Sequence, residues 1–146
     1  MSVRDATGWA HDENRPWRHS VKKLTDPRLA SGLDMLTFSR LMSQYRALPP
    51  HDINQRWLVL EAAHVVGQTH FGPHWRVHVA MLLLAWRTAD RKEILGQAMR
   101  LALVPVGHAV HRLPLGNPGR ANVSAFAPMP VRSDIAQVIA RAQDKS

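Results

Sequence analysis

The sequence contains no cysteine, which excludes disulfide bonds, thiolate metal sites and cysteine nucleophiles. Acidic residues are also scarce: 11 Asp and Glu stand against 19 Lys and Arg, and the formal net charge is +8. The basic residues are dispersed along the chain and never form a run longer than two. Such a pattern is typical of a solvated surface and argues against a nucleic-acid partner.

Long apolar runs are missing as well. The longest, residues 77–86, has about ten residues, half of the roughly 20 that a membrane-spanning helix needs. The first residues, MSVRDATGWAHDENRPW, contain no apolar segment typical of a signal peptide. We therefore expect, by default, a cytoplasmic protein. With 146 residues, 45% of them apolar, the chain is long enough for a well-packed core.

Apolar residues recur at helical spacing in several segments, and no segment alternates in the manner of a β-strand. The predicted helices cover residues 33–48, about 53–68, 73–88, about 91–111 and 133–142. Asp52 and Ser133 are predicted N-caps, and Asp90 with Glu93 resembles a capping box. Pro105 is expected to kink or end the fourth helix.

Short connections between these helices require antiparallel neighbours. The predicted fold is all-α: a small antiparallel helical bundle or, equally well, stacked helix–turn–helix pairs. Residues 112–131 are rich in Gly, Pro and Asn and predict an extended C-terminal segment before the short last helix. Residues 1–31 show no periodicity and predict an irregular N-terminal arm, which leaves residues 32–146 as a single helical domain.

The candidate functional residues concentrate in residues 56–88, where two helical runs flank a short turn. Within each run the polar residues share one helix face, and these faces meet if the helices fold back on each other. Three imidazoles and a carboxylate would suit Zn²⁺, Fe²⁺, Cu²⁺ or Ni²⁺. The candidate ligands are Glu61, His64, His74 and His78. The candidates for outer contacts or additional ligands are Gln68, His70, Arg100, His108 and His111.

The same residues have a structural interpretation. Buried histidines and a glutamate can satisfy one another, with Arg100 as the expected partner of the Glu61 carboxylate. The Glu-x-x-His unit occurs only once here, which argues against a di-iron centre. Haem is a less favoured cofactor, because the chain has no C-x-x-C-H motif.

A weaker candidate lies in residues 116–124, where backbone donors accompany Asn117, Arg120 and Asn122 and could bind an anion. The spacing is not that of a P-loop, and a turn that pins the extended segment to the bundle is the preferred interpretation. No nucleophile motif is present around Ser124, and no catalytic residue is predicted.

Several stretches resemble a family of small bacterial proteins catalogued as domain of unknown function 3703. They are EAAHVVGQ (61–68), HWRVHVAML (74–82), DRKEILGQAMRL (90–101) and LPLGNPGRANVSAFAPMPV (113–131). The resemblance covers roughly residues 61–134, and the last string is long and unusual. It supports the helical fold and implies no activity or catalytic residue.

Three functions stay open from the sequence. The first is a small helical protein that binds a transition metal and serves in metal handling or as an accessory to a metal-dependent process. The second is a helix-pair scaffold that binds a protein partner, with structural histidines. The third is a metalloenzyme with an open coordination position, although the sequence leans away from an enzyme. A homodimer is a further option.

Overall fold

The computed structural model describes residues 27–110 and 113–144, with side chains from Asp34 onward. The chain divides into two compact units, Met1–Gly32 and Leu33–Ser146. The histidine-rich part of the chain lies within the second unit. Residues 1–26, most of the predicted N-terminal arm, are outside the described part.

The described residues form five α-helices and no β-strand, which confirms the all-α prediction. The helices are α1 (Pro27–Ala47), α2 (Ile53–Gly67), α3 (Phe71–Arg87), α4 (Arg91–Ala109) and α5 (Ser133–Gln143). Helix α1 begins before the predicted start at residue 33. Across residues 27–110 and 113–144, no helix combines the length and the apolar character needed to cross a membrane.

Two of the predicted N-caps are confirmed. The Asp52 carboxylate accepts the Gln55 backbone N–H at 3.3 Å, and the Asp90 carboxylate accepts that of Glu93 at 3.0 Å. The second half of the capping box is absent, because the Glu93 side chain turns to other partners described below.

The cap predicted at Ser133 was wrong. Ser133 is already the first residue of α5, and Arg132 precedes it as an N-cap whose side chain makes no capping hydrogen bond. The Asp134 carboxylate accepts the Ile135 N–H at 2.8 Å and so satisfies one free donor of the first turn. Arg132 is held beside it by an ion pair with Asp134 at 2.7 Å.

Pro105 does not end α4, which continues to Ala109. A proline inside a helix removes one backbone hydrogen bond and crowds the carbonyl four residues earlier. Pro105 lies on the exposed side of the helix, and α4 ends about one turn later. The helix therefore brings His108 within reach of the site.

Helix α3 packs against both α2 and α4, and α5 packs against α2. One apolar cluster joins α1, α2, α3 and α5, with Phe38, Leu41, Leu60, Met81 and Ile135 among its most deeply buried members. Arg40 on α1 donates to the last carbonyls of α5, at Ala142 and Gln143. Residues 113–131 form no regular element, as predicted, and lie along this framework through contacts to α2 and α4.

Candidate metal centre

Three histidines from α2 and α3 converge inside the bundle. The Nε2 atom of His64 lies 3.1 Å from the Nε2 atom of His74 and 3.2 Å from that of His78. All three side chains are buried, with 2%, 5% and 2% of their surface exposed, respectively. One ring nitrogen from each lies within 4.8 Å of the others, which is close enough for a shared metal ion.

The outer nitrogens of two of these rings are fixed by acceptors. His64 Nδ1 lies 2.8 Å from the Asn117 carbonyl oxygen, and His78 Nδ1 lies 2.7 Å from Gln97 Oε1. The Gln97 amide is itself oriented, because its nitrogen donates to Glu93 Oε1 and to the Gly119 carbonyl, each at 2.8 Å. Carbonyl oxygens only accept, so both Nδ1 atoms carry the proton. Each neutral ring therefore has a bare lone pair on Nε2.

Two facing lone pairs cannot form a hydrogen bond. The Nε2 atoms of His64 and His78 are in that position at 3.2 Å. A proton on His74 Nε2 could satisfy one of them but not both. A Zn²⁺ ion with Zn–N bonds of about 2.0–2.1 Å and tetrahedral angles would set neighbouring nitrogens about 3.3–3.4 Å apart. The two distances from His64 Nε2, 3.1 and 3.2 Å, are close to that spacing.

The third ring is positioned by another histidine. His74 Nδ1 lies 3.1 Å from His108 Nε2 near the end of α4. His108 therefore contacts the outer nitrogen of His74 and lies outside the group of three. If His74 donates in this bond, its Nε2 lone pair also points at the other two rings. Metal-bound histidines commonly donate from their second nitrogen to an acceptor.

Burial keeps these imidazoles neutral. It is the main cause that lowers the pKa of His74 to about 3 and that of His78 to about 4. The pKa of His64 is also well below its usual value, chiefly through burial and then through the neighbouring rings. Neutral imidazole is the form that binds a metal.

These shifts predict that the metal-free protein loses stability in mild acid. Between pH 6.5 and about 4, His74 and His78 are protonated in the unfolded chain but stay neutral in the folded protein. The free energy of unfolding therefore falls as the pH falls. Each ring contributes up to about 1.4 kcal/mol per pH unit in this window and almost no slope above about pH 8. Urea unfolding of metal-free protein from pH 4.5 to 8 measures this slope.

The matched comparison uses asparagine in place of one histidine. His74→Asn is expected to reduce the pH dependence of the free energy of unfolding by about the contribution of one ring. His70→Asn, at a less buried histidine, should leave the contributions of His74 and His78 unchanged. A free energy of unfolding that stays constant from pH 6.5 to 4.5 would contradict the neutral, buried state of the rings.

Glu61, the fourth predicted ligand, is placed elsewhere. Its carboxylate forms ion pairs with Arg120 and Arg132, each at 3.1 Å, so it lies outside the group of three imidazoles. Burial raises the pKa of Glu61 above its usual value, although both guanidiniums act to lower it. The predicted pairing of Glu61 with Arg100 was wrong, because the Arg100 guanidinium donates to the Arg120 and Val123 carbonyls at 2.7 and 2.6 Å.

The loop of residues 116–124 covers the histidines. Asn117 is buried, and its amide nitrogen donates to the Ser124 and Ala127 carbonyls while its oxygen accepts the Gly119 N–H. Arg120 is bound to Glu61 and Glu93. The anion-binding groups predicted at Asn117 and Arg120 are thus engaged in holding the loop.

Three of the remaining predicted residues lie within the described part of the chain. Asn122 is exposed on the loop. Gln68 is buried one turn beyond His64, and its Oε1 has no hydrogen-bond partner among the described residues. His70 precedes α3 and contacts Thr69 Oγ1 at 3.0 Å. His111 lies outside the described residues.

Sequence reasoning missed the groups that orient the rings. These are the Asn117 carbonyl, Gln97 and, behind Gln97, Glu93. Glu93 and Gln97 are four residues apart and share a face of α4, so the helical spacing held a usable signal. No sequence pattern identifies a backbone carbonyl more than fifty residues away as the partner of His64.

A cavity of about 290 Å³ lies beside the rings and is bordered by all three of them. Most of its remaining wall is apolar and comes from the end of α4 and from residues 113–126. The apolar wall residues are Leu103, Val104, Val106, Val110, Leu113, Pro114, Ala125 and Phe126. Arg100 and Asn117 are its other polar side chains.

No curated protein and no solved structure shows significant similarity to this chain. One family model does match, and it spans residues 35–139, which include all three histidines and the groups that orient them. The match covers well over half of the chain. The chain therefore belongs to the family described as protein of unknown function DUF3703.

Proposed function

We propose that this protein binds one divalent transition-metal ion through His64, His74 and His78, and that it serves in metal handling or in a metal-dependent process. The observation that carries the proposal is the convergence of three buried Nε2 atoms, two of them in rings whose Nδ1 protons are directed to carbonyl oxygens.

A purely structural role for the rings accounts less well for this arrangement. A histidine retained for packing or hydrogen bonding is expected to pair donor with acceptor at both nitrogens. Here the His64 and His78 lone pairs face each other at 3.2 Å, and both side chains are buried. A cation between them removes that repulsion.

The donor set favours particular metals. Three neutral imidazoles without a carboxylate or thiolate suit Zn²⁺, Cu²⁺, Ni²⁺ and Fe²⁺, and they are poor ligands for Mg²⁺ or Ca²⁺, which prefer oxygen. Glu61, held by two arginines, is left out of the proposed ligand set.

Metal titration of untagged, chelator-treated protein tests the proposal. We expect one Zn²⁺ or Co²⁺ ion per chain, and the visible bands of bound Co²⁺ should indicate nitrogen ligands. Free metal at 100 times the Kd should stabilise the fold by about 2.7 kcal/mol, which is roughly a ten-degree rise in Tm. Mg²⁺ at the same concentration is the matched control. Failure of Zn²⁺, Co²⁺, Ni²⁺ and Cu²⁺ alike to bind in a saturable manner would refute the proposal.

A second candidate function, a protein-binding scaffold, is supported by an apolar surface on α3 and α4. Leu83 and Trp86 on α3 and Leu95 and Met99 on α4 are between 50% and 73% exposed. Trp86 and Leu95 also border a shared surface groove with Ile94, and a contiguous exposed apolar patch is typical of an interaction surface. The scaffold function predicts that Trp86→Ser abolishes partner binding or self-association while metal binding is unchanged.

A further inference from the structure

The proposed metal would have three protein ligands, and three is the number found when a zinc site keeps a position for water or substrate. Structural zinc sites are instead closed by four protein ligands. Among the described residues, the one group of side chains placed to share a metal ion consists of His64, His74 and His78. The cavity bordered by these same rings is the space into which a further ligand would extend.

The cavity wall limits what that ligand can be. Its polar side chains other than the histidines already have partners: the Asn117 amide is bonded at both its nitrogen and its oxygen, and Arg100 donates to backbone carbonyls. The rest of the wall is apolar. A polar ligand body would lose its hydrogen bonds to water in this cavity and find no free partners in the wall. An apolar body is therefore favoured.

Charge limits the group that binds the metal. Three neutral imidazoles leave the full charge of a divalent ion uncompensated, and the buried Arg100 guanidinium lies on the same cavity. The nearest carboxylates, Glu61 and Glu93, are already paired with arginines. An anionic donor in the open position would offset this local positive charge.

Size gives the third limit. An apolar cavity of about 150 Å³ holds benzene, so a cavity of about 290 Å³ has room for a substituted ring or an acyl chain of roughly 6–10 carbons. The rim is accessible, because Val106, Val110 and Phe126 are 55%, 57% and 74% exposed.

We infer that the metal bound by His64, His74 and His78 keeps an open coordination position toward this cavity, and that the position takes a small monoanion with an apolar body, such as an aromatic or medium-chain carboxylate. The inference rests on the proposed function and adds the class of ligand.

The test uses the full-length protein loaded with Co²⁺ and titrated with benzoate, hexanoate or acetate while the visible spectrum is recorded. The three share one donor group and differ only in the apolar body. Benzoate and hexanoate should change the cobalt bands in a saturable manner, with a Kd at least tenfold lower than that of acetate. Each additional buried methylene is worth roughly fourfold in affinity.

A cavity-filling variant distinguishes the contribution of the ligand's apolar body from that of its metal-binding carboxylate. Ala125→Phe should still bind Co²⁺ with the same affinity but bind benzoate no better than acetate, while the control Ala140→Phe, on the exposed side of α5, behaves as wild type. Leu113→Trp fills the same cavity from another position if Ala125→Phe does not fold.

The two proposals fail in different ways. Failure of the wild type to bind Co²⁺, Zn²⁺, Ni²⁺ and Cu²⁺ alike overturns the metal site and, with it, the open position. Alternatively, the cobalt bands are normal but unchanged by benzoate, or are changed equally by benzoate and acetate. Either result overturns only the inferred ligand class.

Discussion

Replacing His64 and His78 together by asparagine is expected to abolish stoichiometric metal binding while the fold survives. The Asn side-chain nitrogen can occupy the place of Nδ1 and keep the hydrogen bonds to the Asn117 carbonyl and to Gln97 Oε1, while the far edge of each ring, with the metal-binding Nε2, is lost. A metal ligand is worth about 3 kcal/mol in typical zinc sites, so each change should weaken binding roughly a hundredfold.

Stability supplies an independent readout of the same double variant. In the metal-free state the change removes the repulsion between two facing lone pairs but leaves a void where the rings lay, so the variant should stay within about 2 kcal/mol of metal-free wild type in urea unfolding. The addition of Zn²⁺ should then stabilise wild type alone. His70→Asn, on the same hairpin but apart from the cluster, is the control for both measurements.

The opposite pattern would support structural histidines. If the double variant is several kcal/mol less stable without metal, the three rings contribute hydrogen bonding and packing to the core. In that case any metal that the wild type binds lies at another site. The double variant should then bind the same number of metal ions per chain as the wild type.

The second large effect is expected at Gly119, where the covering loop meets the site. Its φ is +80°, and a Cβ there would lie 2.8–3.0 Å from three atoms of the His64 ring. The residue also accepts from Gln97 and donates to Asn117, so a displacement would disturb the partners of both His64 and His78. Gly119→Ala should therefore reduce stability by about 2–4 kcal/mol and metal affinity at least tenfold.

Gly72→Ala is the matched control for this change. Gly72 lies in the first turn of α3, its added Cβ meets nothing within 4 Å, and it is expected to be neutral or slightly stabilising. Urea unfolding and a Zn²⁺ titration compare the two variants. Wild-type metal affinity in Gly119→Ala would contradict the close contact between the loop and the His64 ring.

The local features of the fold could be predicted from the sequence because they depend on neighbouring residues. Asp52 and Asp90 cap their helices through contacts three residues away, and the spacing of His74 and His78 places them on one face of α3. Pro105 shows the limit of such rules. A proline disfavours a helix through a local loss of hydrogen bonding, but the sequence did not show that Pro105 lies on the exposed side of α4, where the helix continues.

The partners within the site depend on long-range packing instead. Glu61 is bound by Arg120 from the loop and by Arg132 from the start of α5, whereas the sequence suggested Arg100. The acceptor of His64 is the backbone carbonyl of Asn117, for which residue type carries no information. The path of residues 113–131 across the bundle decides both contacts, and no periodic signal describes that path.

The most direct measurement is the structure of the full-length protein loaded with Co²⁺ or Zn²⁺, with anomalous scattering recorded at the metal edge. We expect one anomalous peak per chain among the Nε2 atoms of His64, His74 and His78, about 2.0–2.1 Å from each. A peak on surface histidines, or no peak at saturating metal with the three rings in hydrogen-bonded pairs, would contradict the metal centre.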